Sequence, residues 1–114
     1  MSQNASFRIW TDSDACTTRN QAGIYNASER WNVPVCLVAN SSMWTPPTPL
    51  ISLVQVEKGM DVADTYIVEH VEAKDLVITA DIPLAALVVE KGATAIDPRG
   101  DLYSEENVRE RLSV

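Results

Sequence analysis

Short apolar runs alternate with helix-like segments along the chain, and this alternation is the feature that most constrains its fold. Hydrophobic periodicity and turn-forming residues predict strands over residues 7–11, 34–39, 51–56, 76–80 and 94–97, and helices over residues 15–31, 61–73, 82–91 and 105–113. Strands that alternate with helices form a parallel sheet covered on both faces. The sequence therefore predicts an α/β protein with three layers, α/β/α, around a central parallel sheet.

The length of the chain suits one domain, which we expect to span residues 1–114. A chain of 114 residues with 46% hydrophobic content is long enough to bury one core. The one irregular stretch is residues 40–49, where three prolines favour an extended, polyproline-like loop.

The sequence contains no run of 18 apolar residues, and it begins with a polar segment, so neither a membrane span nor a signal peptide is expected. Two cysteines, Cys16 and Cys36, are too few for a disulfide framework. Cys36 lies in an apolar run, where a thiol packs as a small hydrophobe. We expect a cytoplasmic protein whose cysteines are reduced.

Aspartates occur where predicted strands end and helices begin. Asp12 and Asp14 follow the first strand, Asp61 and Asp64 open the second helix, and Asp81 follows the fourth strand. The carboxyl ends of parallel strands line one edge of the sheet, where ligands bind. Carboxylate oxygens that converge from separate elements suit a hard cation, so the pattern predicts a Mg²⁺ or Mn²⁺ site.

Helix capping is the alternative explanation for several of these acids. Asp14, Asp61 and Asp81 can each accept the free N–H groups of a first helical turn. Asp61 and Asp64 together also resemble a capping box. Capping does not account for Asp12 beside Asp14, because two nearby like charges are costly without a proton or a cation between them.

Several segments resemble, in order along the chain, the bacterial YaiI/YqxD family, an uncharacterised group also called UPF0178 or DUF188. The most specific segment is TADIPLA, at residues 79–85. The full set of similar segments is residues 9–16, 38–40, 59–64, 75–85 and 98–100.

The resemblance implies a PIN-like fold with strand order 3-2-1-4-5 and a metal-dependent nuclease acting on RNA or DNA. Asp12 matches the acid that ends strand one in PIN-like nucleases, and Asp14 the polar residue two positions later. Asp64 matches their mid-chain helix acid, and Asp81 the acid after strand four. These four are the predicted catalytic residues and metal ligands, and Asp61 is a further predicted ligand.

The chain departs from the usual pattern of the family in three places. Thr17 replaces a proline, Asp97 replaces an asparagine, and the sequence stops at Val114, where family members usually continue. We expect apolar surface to be left uncovered as a result. Self-association, by exchange of the C-terminal helix, is the expected way of covering it.

A net charge of −7 is unfavourable for binding to a phosphate backbone without a cation. Asn40, Thr79 and Arg99 are the predicted substrate-binding residues. For Arg99 the alternative is a turn in which it pairs with Asp97 or Asp101, and for Asn40 it is a plain polar turn. Trp44, beside the prolines of residues 46–49, is a further candidate, because exposed aromatic rings can stack on bases; the alternative is that it packs under its own loop.

Two other functions are compatible with the sequence, and a third is disfavoured. The acidic edge can belong to a non-catalytic metal- or nucleotide-binding module. Asp12 and Asp14 also resemble the paired aspartates of haloacid-dehalogenase-like phosphatases, in which Thr79 would be the hydroxyl residue of the second sequence motif. Catalysis by Cys16 lacks a base, because the single histidine, His70, is expected mid-helix on the surface.

Overall fold

The computed structural model of the chain describes residues 7–12, 18–59 and 61–113. Within these residues the elements alternate as the sequence predicts. In chain order they are β1 (Ile9–Asp12), α1 (Thr18–Trp31), β2 (Val35–Ala39), β3 (Ile51–Gln55), α2 (Val62–His70), β4 (Leu76–Ile78), α3 (Ile82–Glu90), β5 (Thr94–Ile96), β6 (Leu102–Tyr103) and α4 (Glu105–Ser113).

The strands form one sheet with the order β3-β2-β1-β4-β5-β6. The first five are parallel, which confirms the predicted order 3-2-1-4-5. The sixth strand was not predicted, and it pairs antiparallel with β5. A tight turn causes this reversal, because the Asp97 N–H donates to the Asp101 carbonyl and Gly100 adopts φ 102°. A turn of this length is too short for the crossover that a parallel strand requires.

The two faces of the sheet carry separate hydrophobic layers, as expected for a three-layer sandwich. One layer joins Trp10, Cys36 and Val77 to residues of α2, α3 and α4, including Ile67, Leu84 and Val108. The other joins Ile9, Leu37 and Ile78 to Ile24 of α1. Neighbouring strand residues therefore point to opposite faces, so that both sides of the central strands are buried.

The helices end where local backbone geometry stops them. Asn32 adopts a left-handed conformation with φ 54° after α1, and the Val33 N–H donates to the Ser28 carbonyl at 3.0 Å. This pairing is the Schellman pattern of helix termination. Gly92, with φ 95°, ends α3 in the same way.

The second helix is shorter than the predicted 61–73. It spans Val62–His70, because Val71 is extended and the Glu72 N–H donates to a carboxylate oxygen of Asp75. Asp75 is buried at the amino edge of the sheet, before β4. Its oxygens also accept the Arg8 N–H at 2.9 Å and the Trp10 Nε1–H at 3.0 Å. One carboxylate thus connects the starts of β1 and β4 to the end of α2.

None of the helices in the described part of the chain is both long enough and apolar enough to cross a bilayer.

Candidate functional site

The centre of the sheet contains the point where the order of the strands reverses. β1 and β4 are neighbours there, and the chain proceeds from β1 to β2 on one side and from β4 to β5 on the other. Ligands of open α/β sheets bind outside the carboxyl ends of the strands at such a point. Asp12 is the last residue of β1, and Asp81 follows the end of β4, so two predicted site residues flank it.

Asp12 points to the face of the sheet that α2 and α3 cover. Side chains alternate along a strand, and Trp10, two residues earlier, packs in the layer beneath these helices. The residue is only 6% exposed. A carboxylate that is this deeply buried at the end of a central strand is held in a defined position, facing the two helices.

Asp64 lies in the first turn of α2, half-buried. Burial raises the pKa of its carboxyl to about 7, and the negative charges of Asp81 and Asp12, a hydrogen bond with the Asp81 side chain and the charge of Asp61 act in the same direction. These influences show that the carboxyls from β1, α2 and the start of α3 are electrostatic neighbours. The like charges favour a proton on Asp64 near neutral pH.

Asp81 has two functions in the local structure. Its backbone is extended, and its Oδ1 accepts the Leu84 N–H at 2.9 Å, so it caps α3 as the capping hypothesis predicts. Its own N–H donates to the Thr79 hydroxyl at 3.0 Å. The TADIPLA segment thus holds Asp81 in two ways. The buried Thr79 hydroxyl accepts its main-chain N–H, and the first turn of α3 donates to its carboxylate.

Asp61 does not cap α2. It occupies the N-cap position but has a left-handed backbone, with φ 65°, and its side chain accepts no capping hydrogen bond. The capping-box interpretation of Asp61 and Asp64 is therefore wrong. Both aspartates instead line a cavity of about 320 Å³ between α2 and α3, beside Pro83 and Leu87.

No group of three or more His, Cys, Asp or Glu side chains within residues 7–12, 18–59 and 61–113 is placed to hold a metal ion. Asp14, one of the predicted ligands, lies outside the described residues.

The three predicted substrate-binding residues have different environments. Asn40 is half-buried directly after β2, at the same edge as the acids. Thr79 is fully buried, and its hydroxyl is committed to the Asp81 N–H. The side chain of Arg99 is 79% exposed, and its Nε lies 3.3 Å from Oδ1 of Asp97, as in the turn alternative.

Sequence reasoning missed Tyr103 as a residue that supports the site. Its hydroxyl donates to the Thr79 carbonyl oxygen at 3.1 Å in a buried position. The threonine that fixes Asp81 is therefore itself held by β6. The only sequence signal was an aromatic residue in a two-residue apolar segment, which is too short to indicate a strand.

The other reactive side chains in the described part of the chain, Cys36 and His70, do not belong to this acidic cluster. Cys16 is not among the described residues. Cys36 is a buried free thiol in β2, and burial raises its pKa, as expected for a packing residue. His70 is exposed, which confirms its predicted surface position, but it is the last residue of α2 and not mid-helix. Its ring stacks on Tyr66 with centroids 4.0 Å apart.

The fold and the acids together define a doubly wound α/β domain with an acidic site at its switch point. A profile of the uncharacterised YaiI/YqxD family, DUF188, matches residues 10–114, and the chain belongs to this family. It is 61% identical to a UPF0178 protein of Citrifermentans bemidjiense over 93% of the chain and 69% of the relative. Identity to a UPF0178 protein of Shewanella sp. strain MR-7 is 55%, over 95% of the chain and 71% of the relative. No solved structure matches the chain.

Proposed function

We propose that the protein is a metal-dependent phosphodiesterase that cleaves RNA or DNA at the carboxyl edge of its sheet. The proposal depends chiefly on one observation, the electrostatic influence of Asp81 and Asp12 on Asp64 at the switch point, which together with burial raises the pKa of Asp64 to about 7. Mutually repelling carboxylates at a ligand-binding edge are costly for stability alone, which favours a functional reason for their position.

A divalent cation suits the chemistry of these donors. Mg²⁺ is commonly held by one or two carboxylates, with water and substrate phosphate oxygens as its remaining ligands. Such an ion needs fewer than three protein ligands, and Asp12 and Asp81 would hold it. When bound, it would supply an activated water and stabilise the charge on the leaving oxygen.

Asp64 has the properties of a group that exchanges protons. Its pKa of about 7 lies near the working pH, which is the condition for efficient general acid–base catalysis. When protonated, its carboxyl would donate a hydrogen bond to the Asp81 side chain. With substrate present, it would accept the proton of the attacking water.

Two basic residues flank the acidic site and favour a polymeric substrate. Lys58 follows β3 and Arg99 follows β5, and both are exposed. Four strand spacings separate β3 from β5, which is roughly 19 Å at about 4.8 Å per spacing. A single strand lying across this edge would place successive phosphates near Lys58, the acids and Arg99. A small phosphate ester would reach only one of them.

The test is cleavage of a panel of single-stranded and structured RNA and DNA in the presence of Mg²⁺ or Mn²⁺. Activity should disappear with a chelator and with Asp81→Asn, which keeps an oxygen to cap α3. Asp101→Asn is the matched control, because it removes the same charge from an exposed position in the β5–β6 turn. Activity that a chelator abolishes but Asp81→Asn does not would indicate a contaminating nuclease.

A non-catalytic metal- or nucleotide-binding module is the second candidate, because an acidic edge on this fold does not by itself require turnover. Ion binding without cleavage of any substrate in the panel would support this function. A phosphatase of the haloacid-dehalogenase type is disfavoured. The hydroxyl residue of its second sequence motif would have to be Thr79, which is fully buried and accepts the Asp81 N–H.

A further inference from the structure

One edge of the sheet is an exposed strand without the usual protection against pairing. β3 (Ile51–Gln55) lies at the end of the strand order and pairs only with β2 among the described strands. It contains no charged residue and no proline. The opposite edge, β6, has only two residues. Natural edge strands are commonly kept short, charged or interrupted, because a regular edge is a template for another strand.

The hydrogen bonds to β2 determine which groups of β3 remain available. The Val35 N–H donates to the Leu50 carbonyl, and the Val56 N–H donates to the Ala39 carbonyl. The main-chain N–H and C=O groups of the even-numbered residues of β3 therefore face β2, and those of Ile51, Leu53 and Gln55 face outwards. The Ile51 N–H also donates within the preceding turn, to the Thr48 carbonyl at 3.3 Å. Leu53 is the central residue of this outward-facing set.

We propose that β3 pairs with β3 of a second copy of this chain, antiparallel, about a two-fold axis at Leu53. In that register the two Leu53 residues exchange both N–H···O bonds, as a hydrogen-bonded antiparallel pair does. The Gln55 N–H of each copy meets the Ile51 carbonyl of the other. The surface is self-complementary, as a closed symmetric dimer requires, and it extends one sheet through both copies.

Hollows on both sides of β3 give the second copy more to contact than the strand alone. On the α1 side, Trp44, which is 73% exposed, lines a cavity of about 280 Å³ with Leu50 and Ile51. On the α2 side, a hollow of about 520 Å³ is lined by Ser52 and Val54, among other residues. The side chains that flank β3 in one copy would enter the corresponding space of the other.

The charge of the chain favours this edge over other surfaces for contact between copies. Each copy carries a net charge of −7, so an interface through acidic surface would be strongly repulsive. β3 is uncharged, and the two residues that follow Val56 are Glu57 and Lys58, whose charges are opposite. A second copy is therefore a better occupant than an acidic peptide from another protein would be.

Sedimentation of the full chain at micromolar to millimolar concentrations tests the proposal. We expect a dimer of twice the 12.5 kDa chain mass. Leu53→Pro should convert it to a monomer, because proline removes the outward N–H but no bond to β2. Leu53→Ala keeps that N–H and should remain dimeric, which separates main-chain pairing from loss of the side chain. A monomeric parent, or a Leu53→Pro variant that remains a dimer, would overturn the proposal.

Cross-linking tests the register without relying on a proline variant. Opposed residues of a hydrogen-bonded antiparallel pair have Cα atoms about 5.5 Å apart, which is within disulfide range. Leu53→Cys should therefore form a covalent dimer under mild oxidation. Gln55→Cys should not, because the two copies of residue 55 lie on opposite sides of the axis. Equal cross-linking of both variants, or of neither, would contradict this pairing.

Discussion

Two aspartates that are almost equally buried, Asp12 and Asp75, lie at opposite ends of the same central strands. Asp75, which is 5% exposed, accepts three N–H groups at the amino edge. Asp12, which is 6% exposed, faces other carboxyls at the carboxyl edge. Burial alone therefore does not distinguish an acid that anchors the sheet from an acid of the proposed site. The observed difference is that Asp75 accepts from three N–H donors, whereas the charge of Asp12 acts on a neighbouring carboxyl, that of Asp64.

The two edges also differ in how they would respond to a ligand. Asp75 connects strand starts to the end of α2, and its bonds are already made. At the carboxyl edge, burial raises the pKa of Asp64, the repulsion of nearby carboxylates raises it further, and a cation would relieve that repulsion. The variants below test this contrast.

The largest effect is expected at the amino edge. Asp75→Ala would leave the Arg8 N–H, the Glu72 N–H and the Trp10 Nε1–H without their acceptor. The Trp10 bond is buried and the other two are partly buried. A buried donor that loses its partner costs about 1–3 kcal/mol, so we expect a total loss near the upper end of that range. Urea denaturation measures it, with Asp75→Asn as a partial replacement that keeps one oxygen. A loss below about 1 kcal/mol would show that this edge is not a structural anchor.

At the carboxyl edge, Asp12→Asn should behave in the opposite way. Without divalent ions it should raise the melting temperature, because it removes one of the charges that repel Asp64. The parent should gain about 2.7 kcal/mol when Mg²⁺ or Mn²⁺ is present at a hundred times its Kd, and the variant should lose this gain. A thermal-shift series with and without chelator measures both effects. If ions stabilise neither protein, the acidic edge is structural.

The pKa of Asp64 predicts a pH dependence with a definite sign. The carboxyl ionises near 3.8 in the unfolded chain and near 7 in the folded protein, so the folded state binds more protons between these values. The destabilisation caused by the charged Asp64 carboxyl is therefore absent below about pH 4, and the free energy of unfolding decreases as the pH rises towards 7. In chelator, the advantage of Asp64→Asn over the parent should grow from pH 5 to pH 8. Asp101→Asn should show no such trend. If the stability difference between Asp64→Asn and the parent does not change with pH, the Asp64 charge does not interact with the other carboxyls of this edge.

The sequence predicted the central strands better than the end of α2 and the edge strand β6. Apolar runs such as 76–80 mark strands because burial on both faces demands them, and the order of five strands follows from the resemblance to a doubly wound fold. The end of α2 was not predictable, because residues 71–73 suit a helix, whereas in the structure Asp75 binds the Glu72 N–H and is itself held by distant donors, the Arg8 N–H and the Trp10 Nε1–H. β6 was missed because a tight turn, and not a hydrophobic period, creates it.

At the site, the sequence predicted that several acids lie at one edge of the sheet, but not what each one does locally. The positions of Asp12, Asp64 and Asp81 follow from strand ends and helix starts. The left-handed backbone of Asp61 depends on the path of the loop before α2, and sequence spacing does not report it. The hydroxyl of Thr79 was expected to reach a substrate, but the structure commits it to Asp81 because strand β4 turns directly into α3.

The smallest effect separates the capping role of Asp81 from its charge. Asn is as good a cap as Asp, so Asp81→Asn should keep α3 capped, and in chelator it should gain stability as Asp12→Asn does, because it also removes a charge that repels Asp64. In chelator, Asp81→Ala should be about 0.5–2 kcal/mol less stable than Asp81→Asn, because both variants remove the charge but only Ala removes the bond to the Leu84 N–H. Asp81→Asn should nevertheless lose the stabilisation by Mg²⁺ or Mn²⁺, because an amide has no charge to offer the ion. If Asp81→Asn retained the full ion response, Asp81 would be a cap alone, and the contrast between the two edges would depend on Asp12 and Asp64.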